Sequence, residues 1–167
     1  EKLAHFIGKE ACHVFSAGYL ACASAVTGFA ERKDLILADK NLHSSLWSGI
    51  QLSGARCERF AHNNASHAAE ILEDEEKGTN KIFVLEGVYS MEGHIAKLPS
   101  FVEIAQKYNA FIILDDAHGL GVLGDGTGSN SIFKKNIKVD VYVGTLSKSL
   151  GSYGGFICAK KNLIEFL

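Results

Sequence analysis

Seven short apolar runs recur along the chain, at residues 11–15, 34–39, 55–61, 81–86, 110–115, 139–144 and 156–159, with helix-patterned stretches between most of them. Several are apolar almost throughout: Leu35-Ile36-Leu37-Ala38, Ile82-Phe83-Val84-Leu85, Phe111-Ile112-Ile113-Leu114 and Val141-Tyr142-Val143. A strand that faces water on one side alternates apolar with polar residues, whereas one without alternation is buried on both faces. Runs of the second kind, separated by helices, predict an α/β chain: a mostly parallel sheet between two helical layers, a three-layer αβα sandwich. Sheets of this kind hold ligands at the carboxyl ends of their strands. The residues that close each run are therefore where chemistry is to be sought.

Between the runs, the clearest helix spans residues 100–108. Pro99 precedes it, Ser100 and Glu103 have capping-box spacing, and Phe101, Ile104, Ala105 and Tyr108 share one face. Residues 1–8 read as the last turns of an amphipathic helix, not as a signal peptide, and another helix begins near Asn162. Both ends look cut, so 1–167 is expected to be one domain of a longer protein. With 167 residues, one proline and no repeat or linker, the chain suffices for a single core.

Composition excludes several partners. The net charge is −2, with Lys and Arg scattered, which argues against nucleic acid or an anionic membrane surface. No apolar run reaches transmembrane length. Cys12, Cys22, Cys57 and Cys158 lack C-x-x-C spacing, so reduced, mostly buried thiols in a cytoplasmic protein are expected.

The run endings carry the candidate site. After the first comes Ser16-Ala17-Gly18-Tyr19 and a helix of small residues. Ser16 is a natural N-cap, and the amides of Gly18 and Tyr19 would face an anion such as a phosphate. After the second comes His43, either a capping residue or a wall for a planar ligand. The fourth ends in Glu86-Gly87-Val88-Tyr89-Ser90-Met91-Glu92-Gly93, a site loop or a simple turn. The fifth ends in Asp115-Asp116-Ala117-His118. A carboxylate closing an apolar strand calls for a cation: a metal on Asp115, Asp116 and His118, a Lys or Arg partner, or a protonated ring nitrogen. The metal ranks last for want of further ligands. Gly119-Leu120-Gly121-Val122-Leu123-Gly124 matches the dinucleotide fingerprint, but turn residues follow where a helix is required, which argues against NAD. After the sixth run lies Gly144-Thr145-Leu146-Ser147-Lys148. A lysine buried there would lose charge preference and become a nucleophile toward a carbonyl; a solvated loop lysine is the plainer alternative.

One ligand would satisfy all of these endings. Pyridoxal 5′-phosphate has a phosphate for the helix start at Gly18 and Tyr19, and a flat ring for His43. It also has a ring nitrogen for Asp115 and an aldehyde for Lys148.

Phe15-Ser16-Ala17-Gly18-Tyr19, Leu42-His43-Ser44-Ser45-Leu46, the Glu86–Gly93 loop, Leu114-Asp115-Asp116-Ala117-His118-Gly119 and Gly144-Thr145-Leu146-Ser147-Lys148 occur in the order and spacing of the α-oxoamine synthases. Over essentially its whole length the chain resembles the large, cofactor-binding domain of that family, within the aspartate aminotransferase-like (fold-type I) pyridoxal enzymes. The resemblance implies that a leading segment and a small carboxyl-terminal domain lie outside these residues. It also implies a homodimer with the site at its interface.

Roles follow by matching positions. Lys148 would bind the cofactor covalently and move protons at the substrate α-carbon. Asp115 would partner the ring nitrogen, and His118 would sit near the ring hydroxyl. His43 would stack on the ring and help hold the substrate carboxylate. Gly18 and Tyr19 would bind the phosphate, Ser90 and Thr145 would add hydroxyl contacts, and Glu86 is a site carboxylate. The implied reaction condenses an amino acid with an acyl-CoA, releasing carbon dioxide and leaving an α-aminoketone. Residues 115–119 and 146–155 are most similar to the branch of biotin synthesis, which joins alanine to pimeloyl-CoA. Residues 85–91 and 59–63 are more similar to the bacterial branch that joins serine to palmitoyl-CoA. An aminotransferase and a non-catalytic partner subunit of the same fold rank below these.

Overall fold

The structure is a computed structural model that describes residues 1–76, 78–133 and 137–167. In chain order its elements are α1 (Lys2–Ile7), β1 (Ala11–Phe15), α2 (Gly18–Phe29), β2 (Leu35–Asp39), α3 (Ser44–Ser53), β3 (Arg56–Phe60), α4 (Ala65–Glu73), β4 (Lys81–Glu86), α5 (Leu98–Tyr108) and β5 (Phe111–Asp115). A 3-10 turn (Ser129–Ile132), β6 (Val141–Thr145), β7 (Gly155–Ala159) and α6 (Lys161–Phe166) follow. All seven apolar runs are strands of one sheet, ordered β1-β7-β6-β5-β4-β2-β3.

The sheet is mostly parallel. β3, β2, β4, β5 and β6 pair in parallel, and β7 runs antiparallel to both β6 and β1. Two reversals restore direction, so β1 ends on the same rim as β6. Strands β2, β6 and β7 are buried along their length and β4 and β5 after their first residue, as their lack of alternation requires, while edge strands β1 and β3 are partly exposed. α2 packs across α3 at close range: a β-carbon on Gly49 would lie 2.8 Å from both the Ala23 carbonyl oxygen and Val26 Cβ. The small residues of α2 permit this contact.

Three boundaries differ from expectation. α5 starts at Leu98 with Lys97 as its cap, and Pro99 falls in the first turn. Ser100 already donates its amide to the Lys97 carbonyl (3.0 Å), so it is inside the helix and makes no capping box. α2 starts at Gly18, capped by Ala17 without a side-chain hydrogen bond, which leaves Ser16 one residue too early to cap. β6 begins at Val141 instead of 139. The Asp140 carboxylate takes the amide of Ile112 (2.8 Å), and a side chain thus fills the ladder position below the strand. Cys22 and Cys158 are buried and Cys12 and Cys57 half-buried, all four as free thiols. No helix of the described residues is long and apolar enough to cross a membrane.

Candidate active site

The parallel register sets Glu86 of β4 directly beside Asp115 of β5. Both close apolar strands, and both are at most 5% exposed. Beside them a cavity of about 260 Å³ is bounded by the start of α2, by His43 and His118, and by Thr145, Ser147 and Lys148 beyond β6.

The α2 end is built for an anion. The first amides of a helix have no intrahelical acceptor, and here neither Ser16 nor any other side chain among the described residues caps them. Gly18 permits close approach: a β-carbon there would lie 2.7 Å from Thr145 Oγ1, and one on Gly155 would lie 2.6 Å from Gly18 Cα. The positive end of the α2 dipole is therefore seated against the ends of β6 and β7. Thr145 donates to the Gly154 carbonyl (3.0 Å) and contacts the Ser147 hydroxyl (2.8 Å), so two hydroxyls stand beside those amides. The Tyr19 hydroxyl meets Ser48 Oγ at 2.6 Å.

The acid end holds two carboxyl groups with different partners. Burial first, and the neighbouring Asp115 charge second, push Glu86 up to about 8, against the pull of the His43 amide that it accepts. Glu86 is thus a neutral acid at pH 7. Asp115 accepts the Ala117 amide on Oδ1 (3.0 Å) and the Cys22 thiol on Oδ2 (3.1 Å). Asp116 turns away from the cavity: Oδ2 takes the Ser129 amide (2.7 Å) and the Tyr142 hydroxyl (2.9 Å). With Asp115 and Asp116 facing apart, they cannot share a metal ion. Among the described residues no group of three His, Cys, Asp or Glu side chains is arranged to hold one.

His43 is the N-cap of α3, with its ring Nδ1 near the Ser45 amide (3.2 Å) and hydroxyl (2.7 Å). Lys148 lies in the connection between β6 and β7, which Leu146–Gly154 (2.9 Å) and Ser152–Leu146 (2.8 Å) backbone bonds close. Its ammonium donates to His118 Nε2 at 2.6 Å. Partial burial and the Lys148 charge lower the His118 pKa, which suits an acceptor imidazole.

The cavity thus gathers Gly18, Tyr19, His43, Glu86, Asp115, His118, Thr145 and Lys148. Ser90 is not among them. Tyr89–His94 (2.9 Å) and Gly93–Tyr89 (2.8 Å) backbone bonds fold its loop back and leave Ser90 exposed on the turn. The burial expected of Lys148 is not seen either: it is exposed, three residues past the end of β6. Residues 119–124 form turns and open no helix, as the rejection of the dinucleotide fingerprint requires. Cys22, Ser45 and Ser147 also line the cavity; the two serines lie in the family-matching motifs without having been singled out, and Cys22 lies outside all of them. The spacing of Gly18 and Cys22 at i and i+4, which puts both on one face of α2, was the available signal for the thiol.

A mostly parallel α/β sheet thus carries an amine, a carboxyl group and helix-start amides at one rim. The chain belongs to the aminotransferase class I and II family, whose description matches residues 1–167. It is 40% identical over 167 residues to the 8-amino-7-oxononanoate synthase of Maricaulis maris, covering 99% of this chain and 43% of that protein. In structure it superposes on Sphingomonas wittichii serine palmitoyltransferase with a TM-score of 0.92 and 38% identity, over 98% of this chain and 41% of the other. A serine palmitoyltransferase from S. paucimobilis with a bound PLP–myriocin aldimine gives 0.92 and 35% identity, over 98% and 42%. The chain therefore spans less than half the length of the relatives it matches.

Proposed function

We propose that this chain is the cofactor-binding part of a pyridoxal-phosphate-dependent α-oxoamine synthase, which joins an amino acid to an acyl-CoA with loss of carbon dioxide. One observation carries the reading. The uncapped amides of α2, the Asp115 carboxylate, the His43 ring and the Lys148 amine all border a single cavity, and these are the groups that a phosphate, a pyridinium, an aromatic face and an aldehyde need. When bound, pyridoxal phosphate supplies an electron sink for a carbanion at the amino-acid α-carbon.

The protein's own groups do the remainder. Gly18 and Tyr19 amides would hold the phosphate, with Thr145 and Ser147 hydroxyls beside them. Asp115 would keep a proton on the ring nitrogen, and His43 would cover the ring. Lys148 would provide the covalent attachment and be the group that moves the α-proton; without the cofactor its ammonium donates a hydrogen bond to His118. Glu86 accepts the His43 amide and so holds that backbone in place.

Alanine and pimeloyl-CoA are the substrates we assign, by likeness to the 8-amino-7-oxononanoate synthases. Serine and palmitoyl-CoA form the second reading, favoured by the superposition on serine palmitoyltransferase. A homodimer and a cytoplasmic setting complete the proposal, the latter in keeping with four free thiols. The test is to load the full-length protein with pyridoxal phosphate and follow its visible absorbance, then assay both substrate pairs. The expected result is a visible band that Lys148→Ala abolishes, and turnover with alanine plus pimeloyl-CoA. A wild-type protein that takes up no cofactor overturns the reading; turnover only with serine plus palmitoyl-CoA selects the second.

A further inference from the structure

We propose that Cys22 is a positioning residue for Asp115: its thiol donates to Asp115 Oδ2 and, with the Ala117 amide on Oδ1, fixes the plane in which that carboxylate meets the ring nitrogen. The proposal rests on the cofactor reading above and extends it to a residue that no sequence motif marks.

An ionised carboxylate offers about four acceptor positions, and a single donor leaves it free to rotate about its own axis. At Asp115 the two oxygens are held from different elements: Oδ1 by the turn that follows β5 (3.0 Å) and Oδ2 by α2 (3.1 Å). Water cannot replace the second donor readily, because Asp115 is 5% exposed and Cys22 4%. Burial and the Asp115 charge both raise the Cys22 pKa, so the sulfur keeps the proton it donates. Ser45, whose hydroxyl contacts the His43 ring at 2.7 Å, borders the same cavity beside Cys22.

The spacing of Gly18 and Cys22 gives this contact a second consequence. Four residues of helix separate the two by about 6 Å along one face. A single rigid element then offers its amides to the phosphate and its thiol to the acid, and so sets the distance between the two ends of the ligand. A buried cysteine that only filled space would be indifferent to the residue opposite it, and that difference can be measured.

The test uses the full-length protein with Cys22→Ala, Cys22→Ser and Asp115→Asn. First, the infrared S–H stretch of Cys22 is recorded without cofactor and assigned by its loss in Cys22→Ala. It is expected at lower frequency than the other thiols, and to move up in Asp115→Asn. A band at the ordinary thiol position that ignores Asp115→Asn overturns the proposal, and this holds whether or not the protein binds pyridoxal phosphate. Second, the dissociation constant for pyridoxal phosphate is measured. Cys22→Ala is expected to bind roughly fivefold more weakly, the size of one modest hydrogen bond, with most of the loss restored in Cys22→Ser. Equal loss in both variants, or loss in neither, overturns it. If Cys22→Ala does not fold, the infrared comparison of wild type with Asp115→Asn and the binding of Cys22→Ser decide. Failure of the wild type itself to bind refutes the cofactor reading instead.

Discussion

Asp115 and Asp116 are neighbours in sequence with opposite surroundings. Asp115 faces the cavity, while Asp116 ties the turn after β5 to the Ser129 amide and the Tyr142 hydroxyl. Burial raises the Asp116 pKa despite those donors. Asp116→Ala leaves a buried amide and a buried hydroxyl without an acceptor. We expect it to lower stability by about 3 kcal/mol in urea unfolding, whereas Asp115→Asn should weaken pyridoxal phosphate binding with little effect on unfolding. Glu86 gives a pH-dependent expectation. Its folded pKa of about 8 lies above the ordinary glutamate value of 4.5, so the folded state favours the protonated form. That contribution is whole below about 4.5 and is lost as pH rises through about 8. The melting temperature of the cofactor-free protein should therefore fall across that window, and the fall should be shallower in Glu86→Gln. Glu86 was legible in the sequence as a carboxylate ending an apolar strand. The upward push on its pKa was not, because that depends first on its burial in the assembled sheet and then on Asp115 standing beside it.

Among the elements, α2 and the β6–β7 connection place the site, and they were legible to different degrees. The helix was marked by its small residues and by Gly18, and its free amides fell where expected. Its cap did not, since Ser16 and Ala17 are both compatible with an extended residue before the first turn, and only packing against Thr145 decides between them. Lys148 was marked by hydroxyls and glycines. Its exposure was hidden, because the apolar run does not show that the chain leaves the sheet at Thr145 and leaves the lysine exposed where it borders the cavity. The seat of α2 gives the next expectation. Gly18→Val would force a side chain onto Thr145. It should cost about 1–3 kcal/mol in stability and weaken pyridoxal phosphate binding at least tenfold by displacing the helix amides, as a cofactor titration would show. Ser90, by contrast, is turned out of the cavity, so Ser90→Ala in the full-length protein should change cofactor affinity less than Gly18→Val does.

Across the molecule, seven apolar runs, several of them without alternation, were enough to predict a parallel sheet covered on both faces, because burial on two sides writes itself directly into composition. Strand order was not legible. β7 reverses within an otherwise parallel sheet, and β1 returns beside it from the far end of the chain, pairings set by contacts distant in sequence. Stability should be graded to match. In hydrogen exchange of the full-length protein, amides of β2, β4, β5 and β6 should be the slowest and those of edge strand β3 among the fastest.

The paired acids at the end of β5 turn chain register into chemistry. Consecutive residues of an extended backbone point to opposite sides, so slipping the strand by a single position would move the ligand's partner to the scaffold's place. A one-residue insertion just upstream of Leu114 is therefore more damaging than replacing either acid, since it sets Leu114 where Asp115 should face the cavity and shifts both acids without altering either.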